Sequence, residues 1–326
     1  MKQNTAESIA VIICTRNRPD MIPMAIESVL KCDYPKFSVH VMDQSTDKLT
    51  HDYIQSVAAN DSRLHYHYLE QPGLSRSYNA GFQITDEPYI ACTDDDVVVP
   101  QDWLTKVATR FAADPMVGLI YGQVLIPDAL ATKAAEGVIV PALSIEKLEF
   151  LNTNHNNFKT FGMGANCMIR RAMLNDTIGF DEALGGGAPL RSSQDFDMSY
   201  RAYQAGWTVC LDPDIVVDHY GTRLREQWAD TMANYGVGDG AYYGKHKRLG
   251  DAWASKMLRQ RRLRLAISRI TSVFGKRLSD HDYLAHLDKG ISLGNSFDID
   301  PKTRLYKTRD GSAFGVSESN KVTLVR

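Results

Sequence analysis

Three aspartates in a row, Asp94, Asp95 and Asp96, directly follow the apolar run over residues 89–93. Like charges a few ångströms apart raise one another's pKa unless a cation neutralises them, so the run reads either as a divalent-metal ligand set or as a solvated acidic turn. Ligation by oxygen suits Mg²⁺ or Mn²⁺, ions that keep water and share their shell with phosphate oxygens. A second acidic pair, Asp195 and Asp197 behind Gln194, heads a helical pattern over residues 194–205, where the helix dipole favours negative charge. A carboxylate there serves as a general base or as an ordinary helix cap.

The elements that must position these groups follow from hydrophobic patterning. From residue 8 to about residue 126, apolar runs alternate with amphipathic stretches, which predicts a mostly parallel sheet covered by helices. Strands are predicted at residues 9–14, 37–42, 64–68, 89–93 and 118–124, and helices after Arg18-Pro19-Asp20 and after Ser45-Thr46-Asp47. Ligands of such sheets bind beyond the carboxyl ends of the strands. Thr15-Arg16-Asn17 follows the first strand, Asp43-Gln44-Ser45 the second and the three aspartates the fourth, so three polar clusters should meet at one edge. Over residues 127–159 the pattern loosens into an irregular or helical excursion, and order returns at residues 161–169.

Composition bounds the alternatives. With 326 residues, 44% hydrophobic and 23% charged, the chain can build one large or two modest cores. A formal charge of -2 weighs against a general nucleic-acid binder. Cys14, Cys32, Cys92, Cys167 and Cys210 are odd in number, widely spaced and free of any C-x-x-C pair, so they read as core residues of a reducing, cytoplasmic protein. Residues 1–8 are polar and lead into an apolar run too short for a signal-peptide core or a membrane span. No G-x-G-x-x-G follows the first strand, which weighs against a dehydrogenase.

Four segments in order, residues 11–19, Asp43 with Ser45 and Asp47, residues 73–81 and Thr93-Asp94-Asp95-Asp96, give the chain a recognisable cast. Together with Ile178-Gly179-Phe180-Asp181-Glu182, residues 194–201 and Ala205-Gly206-Trp207, the sequence resembles glycosyltransferase family 2, the inverting enzymes of the GT-A fold. The resemblance covers residues 9–219 and implies a catalytic domain over residues 1–222, with a nucleotide-binding half at about 8–126 and an acceptor half at about 127–222. Residues 223–326 would form a mainly helical extension and tail.

By this resemblance Asp195 is the general base that deprotonates an acceptor hydroxyl. Thr15, Arg16, Asn17, Asp43, Arg76, Asn79, Asp94 and Asp95 would face a nucleotide diphosphate sugar, with Asp43 on the base. Asp94, Asp96 and His219 would hold Mn²⁺ or Mg²⁺, while Gly164, Asn166, Gln194 and Asp197 would face the acceptor. The donor implied is a UDP- or dTDP-sugar. The acceptor implied is a glycan or a lipid-linked glycan in polysaccharide or cell-envelope synthesis.

Two departures from the family pattern stand out: Gln194 where Glu is usual before the base, and Tyr78 where Arg is usual before Asn79. The second leaves the diphosphate short of a cation, a role Arg76 is placed to take. Asn234-Tyr235-Gly236-Val237-Gly238-Asp239-Gly240 is too glycine-rich for a rigid helix and reads as a flexible link near the acceptor. The pattern of residues 253–274 predicts a basic amphipathic helix, with Leu263, Ile267, Ile270 and Phe274 on one face. Such a helix either packs on the catalytic domain or lies on an anionic membrane surface from the cytoplasmic side. A sugar-phosphate nucleotidyltransferase and a nucleotide-sugar-binding protein without turnover stay open as other readings.

Overall fold

The computed structural model describes residues 6–271 and 278–307. Its first half contains β1 (Ile9–Thr15), α1 (Ile22–Leu30), β2 (Phe37–Asp43), α2 (Leu49–Ala58), β3 (Leu64–Tyr68), α3 (Leu74–Ile84) and β4 (Tyr89–Asp94). Then come β5 (Val97–Val98), α4 (Trp103–Ala113), β6 (Val117–Leu125), α5 (Asp128–Ala135), β7 (Glu149–Leu151), β8 (Asn166–Arg170), α6 (Leu174–Thr177), α7 (Gln194–Gln204) and β9 (Thr208–His219). Three helices follow, α8 (Arg225–Arg248), α9 (Ala252–Thr271) and α10 (Leu278–Gly294).

Every residue of β1 is buried, because helices cover both faces of a strand whose sequence is almost wholly apolar. The central sheet runs β3-β2-β1-β4-β8-β6-β9-β5, with β7 added on β9. β3, β2, β1 and β4 are mutually parallel, as the alternation of strands and helices predicts, and so are β6 and β9. β8 runs antiparallel between β4 and β6, so the sheet is mixed where its two halves join. The excursion over residues 127–159 contains α5 and β7, and Leu143 bridges back to Val124. One apolar cluster lies on each face of the sheet, around Ile13 and Trp103 and around Ile12 and Phe180. All five cysteines are buried free thiols.

The glycine-rich stretch around residue 238 is not a flexible link. It is the middle of the 24-residue helix α8. A Cβ at Gly236 would collide with the Tyr283 carbonyl, one at Gly240 with the Leu287 carbonyl, and one at Gly290 of α10 with the Val237 carbonyl. These glycines let two helix backbones touch, and that close packing replaces the helix propensity they lack. α9 covers the domain through buried Ala254 and Leu258 and through Trp253, stacked on Tyr200 of α7 at 4.6 Å between ring centres. Of the apolar face predicted for this helix, Leu263 is 61% exposed, while the side chains of Ile267, Ile270 and Phe274 lie outside the described residues. Among the described residues no helix is long and apolar enough to cross a membrane.

Candidate functional site

Strand register builds the acidic cluster. Cys14 of β1 lies opposite Asp94 of β4, which sets Thr15 beside the turn that follows, and the Thr15 hydroxyl donates to Asp95 Oδ2 at 2.7 Å. β5 leaves that turn and pairs Val97 with His219 at the end of β9. A histidine more than a hundred residues away thereby reaches Asp96, with Nε2 3.3 Å from Oδ1. One ligand atom each from Asp94, Asp96 and His219 fall within 4.8 Å of one another.

These residues fit a divalent cation. His219 Nδ1 is buried without a hydrogen-bond partner among the described residues, and Asp96 Oδ1 meets His219 Nε2 only at the long distance of 3.3 Å, as loosely held ligand positions would. Two carboxylates and an imidazole form a donor set that suits Mn²⁺ and tolerates Mg²⁺. Burial, then the charge of Asp96, pushes Asp94 up to about 6. Burial would raise Asp96 as well, but His219 and then Arg18 outweigh it and hold that carboxyl below the usual range. The two carboxylates resist carrying full charge together without a cation. Gly221 leaves the space they need: a Cβ there would collide with Asp96 Oδ2 and lie 2.8 Å from His219 Cε1.

The cluster forms one wall of a cleft of about 360 Å³, whose lining includes Thr15, Arg16, Arg18, Gln44, Gly73, Gly187, Arg223 and Tyr235. Arg18 reaches Asp95 Oδ1 at 2.5 Å and Asp96 Oδ2 at 2.6 Å. Leu74 at the start of α3 donates its N–H to the Gly186 carbonyl at 2.8 Å, and Gly185 and Gly187 have φ +103° and +79°. The glycine run thus turns tightly enough to close the far side of the cleft.

Asp195 sits in the first turn of α7. Its Oδ1 accepts the Phe196 N–H at 3.0 Å, while Oδ2 and Gln194 Nε2 face Gly164, each 4.0 Å from where a Cβ would stand. Burial, opposed by backbone N–H groups and aided by the charge of Asp239, raises Asp195 to about 6. Tyr235 of α8 lies in the field of both acidic groups. Burial first, then Asp195 and Asp94, with Arg223 opposing, push its phenol above the ordinary range.

Other residues expected at the site are spent on the scaffold. Asn79 is buried, donating to the Phe180 carbonyl at 2.9 Å and to Glu182 at 3.1 Å while accepting the Phe180 N–H, so it ties α3 to the loop before α7 and does not line the cleft. Asn166 donates to the Gln123 and Ile215 carbonyls and accepts from Trp103 Nε1, which joins β8 to β6 and β9 rather than to an acceptor. Asp197 points away from the cleft into buried contacts with Arg201, Lys245 and His246. Arg76 pairs with Glu182 at 3.2 Å instead of facing a diphosphate. Asn17, at φ +54°, accepts the Thr46 N–H and so braces one loop on the next. Asp43 is fully buried, accepting the Ser45 N–H at 2.8 Å and the Tyr66 hydroxyl at 3.0 Å.

Arg18, Gly73, Gly187, Gly221, Arg223 and Tyr235 were not among the expected residues. Arg18 stood inside the motif after β1, and Gly185-Gly186-Gly187 was a visible breaker run. Tyr235 stood in the glycine-rich stretch expected near the acceptor, while nothing in the local pattern marked Arg223; both lie beyond the resemblance.

The family model for glycosyl transferase family 2 matches residues 10–178, just over half of the chain. Poly-beta-1,6-N-acetyl-D-glucosamine synthase of Staphylococcus aureus (strain MSSA476) is 24% identical over 117 residues, 36% of this chain and 28% of that protein. Protein CgeD of Bacillus subtilis (strain 168) is 24% identical over 129 residues, covering 36% of this chain and 29% of CgeD. The chain thus spans less than a third of the length of these relatives. Among solved structures, the mannosyltransferase PcManGT of Pyrobaculum calidifontis, in complex with GDP-Man and Mn²⁺, aligns over 90% of this chain and 87% of its own, with TM-score 0.59 and 15% identity. S. aureus TarS 1-349 with UDP-GlcNAc aligns over 97% of this chain and 98% of its own, with TM-score 0.53 and 17% identity. The shared architecture is the GT-A fold, here with a helical C-terminal region.

Proposed function

Because the chain belongs to glycosyl transferase family 2, we propose that it moves a sugar from a nucleoside diphosphate donor to an acceptor hydroxyl in one displacement, with inversion at the anomeric carbon. The observation that carries this reading is that one cleft residue, Tyr235, lies in the field of two unlike acidic groups, Asp195 of α7 and Asp94 of the Asp94, Asp96 and His219 set.

The roles follow from what each group can do. The Asp195 carboxylate, held between the Phe196 N–H and Gly164, is the group that takes the acceptor proton as its oxygen attacks. A carboxyl raised to about 6 is ionised at neutral pH yet basic enough to share a proton. Thr15, Arg16 and Gln44 line the donor side, where Arg16 and Arg223 present cations to a diphosphate. Asp94, Asp96 and His219 would hold Mn²⁺ or Mg²⁺, whose charge would stabilise the departing diphosphate. Asp43 orders the loop that receives the nucleoside base, through Ser45 and Tyr66.

A UDP- or dTDP-sugar donor and a glycan or lipid-linked acceptor of the cell envelope remain the substrates this reading favours. The synthase from S. aureus and the UDP-GlcNAc complex of TarS support it by likeness. We read the protein as cytoplasmic, with any membrane contact peripheral.

The experiment is donor turnover: UDP-, dTDP- and GDP-sugars with Mn²⁺ or Mg²⁺, following nucleoside diphosphate release beside an Asp195→Asn control. Metal-dependent release that disappears in the control supports the transferase. The neutral Gln194 beside Asp195 favours one rival, donor binding without turnover. Tight donor binding with no release in the presence of acceptors would establish that rival instead.

A further inference from the structure

The contacts behind Asp195 lead away from the cleft into α8, α9 and α10. Two residues before it, Ser193 has φ +68°, the left-handed region that a side chain with a Cβ avoids unless its surroundings hold it there. The holding contact is visible. Ser193 Oγ donates to Asp239 Oδ1 at 2.7 Å, both residues being buried. The other oxygen of Asp239 accepts the Tyr283 hydroxyl of α10 and lies 3.3 Å from Arg261 Nη1 of α9. The Arg261 guanidinium sits over the rings of Tyr243 and Tyr283 at 5.1 and 5.4 Å. Next to it, the Ser192 hydroxyl donates to the Asn234 carbonyl at 3.0 Å, and a Cβ at Gly238 would collide with Ser192. The turn that launches α7 is therefore seated on α8, at a point where α9 and α10 both contribute a side chain.

We infer that Asp239 is a positioning residue for Asp195: by holding Ser193 in its left-handed conformation it fixes the first turn of α7 and with it the direction of the carboxylate. The C-terminal helices thereby form part of the catalytic apparatus. This inference rests on the reading of Asp195 as the acceptor-side base, and it assigns no substrate contact to Asp239 itself.

Asp239 also acts on Asp195 through charge. The groups that face Asp195 are Tyr235 and Asp239 from α8, Tyr121 from β6, Cys167 from β8 and the backbone N–H groups of Gly164 and its own turn. Asp239 is the anion among them, and Arg261 balances it from behind. Removing the carboxylate takes away a neighbour that disfavours ionised Asp195 and leaves Arg261 unpaired. Both changes ease ionisation of the base, so the acid limb of the rate profile moves to lower pH.

The test uses the full chain with Ser193→Ala, Ser193→Gly, Asp239→Ala and Asp239→Asn, measuring kcat, donor KM, the acid limb, and hydrogen exchange at the amides of residues 194–197 without substrates. In S193A and D239A, kcat should fall about tenfold or more with donor KM changed less than about twofold, since a misaimed base leaves the donor wall intact. D239N keeps an acceptor for the Ser193 hydroxyl, so it should recover most of the kcat that D239A loses, with its acid limb at lower pH. S193G should outperform S193A, because glycine takes the left-handed conformation without a clamp. Exchange at residues 194–197 should speed up in S193A and D239A. The inference is overturned if both variants keep kcat within about twofold, if donor KM rises in step with the loss, or if exchange there is unchanged. Should D239A fail to fold, the two Ser193 variants and D239N decide the matter. Wild-type turnover that survives D195N would sink the base assignment, while the exchange data still decide whether Asp239 holds the turn.

Discussion

Lys245 Nζ lies 2.6 Å from Asp197 Oδ1, and both side chains are completely buried. The same ammonium donates to Asp181 Oδ2 at 2.6 Å, while Asp197 also meets Arg201 at 2.8 Å and His246 at 2.8 Å. Burial would raise Asp197, but Lys245 and Arg201 outweigh it and hold the carboxyl well below its usual range. Helix α8 is thus pinned to α7 by charge only two residues from Asp195.

Replacing Lys245 by Met would leave Asp181 and Asp197 buried with less cationic charge between them. A loss of about 3–5 kcal/mol of folding stability is expected, because breaking one side of a buried pair strands the other. Urea unfolding of K245M measures it, and a change below about 1 kcal/mol would show that the network tolerates the vacancy.

The raised pKa of Asp195 sets a pH limit. A base with its pKa at about 6 is ionised above that value and is lost as the pH falls through it, so kcat/KM should drop tenfold per unit on the acid side of about pH 6. D195N should lose on the order of 10²-fold or more in kcat. A flat profile from pH 7 to 5, roughly one unit either side of that midpoint, would remove Asp195 from the role.

For the acidic cluster, the expected outcome is read without turnover. Asp96→Asn should weaken Mn²⁺ binding, followed by calorimetry or electron paramagnetic resonance, on the order of tenfold or more. Gly221→Ala should do the same by crowding Asp96 and His219, with the melting temperature little changed. Mn²⁺ affinity equal to wild type in both variants would leave the cluster without a metal role.

Close packing of α8 on α10 gives a structural prediction. Gly240→Ala should destabilise the protein by about 1–3 kcal/mol, because the added methyl meets the Leu287 carbonyl rather than a side chain that can rotate away. Alanine is the better helix former, so a stabilised G240A in thermal melts would mean that the two helices do not approach as described.

Much of the fold was legible from residue order. The five strands predicted through residue 124 agree with β1, β2, β3, β4 and β6 to within a residue at each end, since buried parallel strands need unbroken apolar runs. β8 was harder to read. Its direction depends on the connection through residues 127–159, and no local pattern encodes which way a returning strand will pair. The glycines of α8 were misread for a related reason. Intrinsic propensity argues against helix, and only the partner helix explains why a missing Cβ is favourable there.

The sequence by itself determined which groups could do chemistry: the three aspartates where β4 ends, Asp195 at the head of α7, and the family they resemble. Tertiary structure decided which of the polar residues face the cleft. It spends Asn79, Asn166 and Asp197 on buried hydrogen bonds and ion pairs, and it brings in Arg18, Arg223 and Tyr235. The physical reason is that a polar side chain must be satisfied wherever it is buried, and its partners come from strands and helices far away in sequence. His219 too is placed by distant elements, since the pairing of β5 with β9 and the Tyr220 N–H on the Asp96 carbonyl carry it to Asp96.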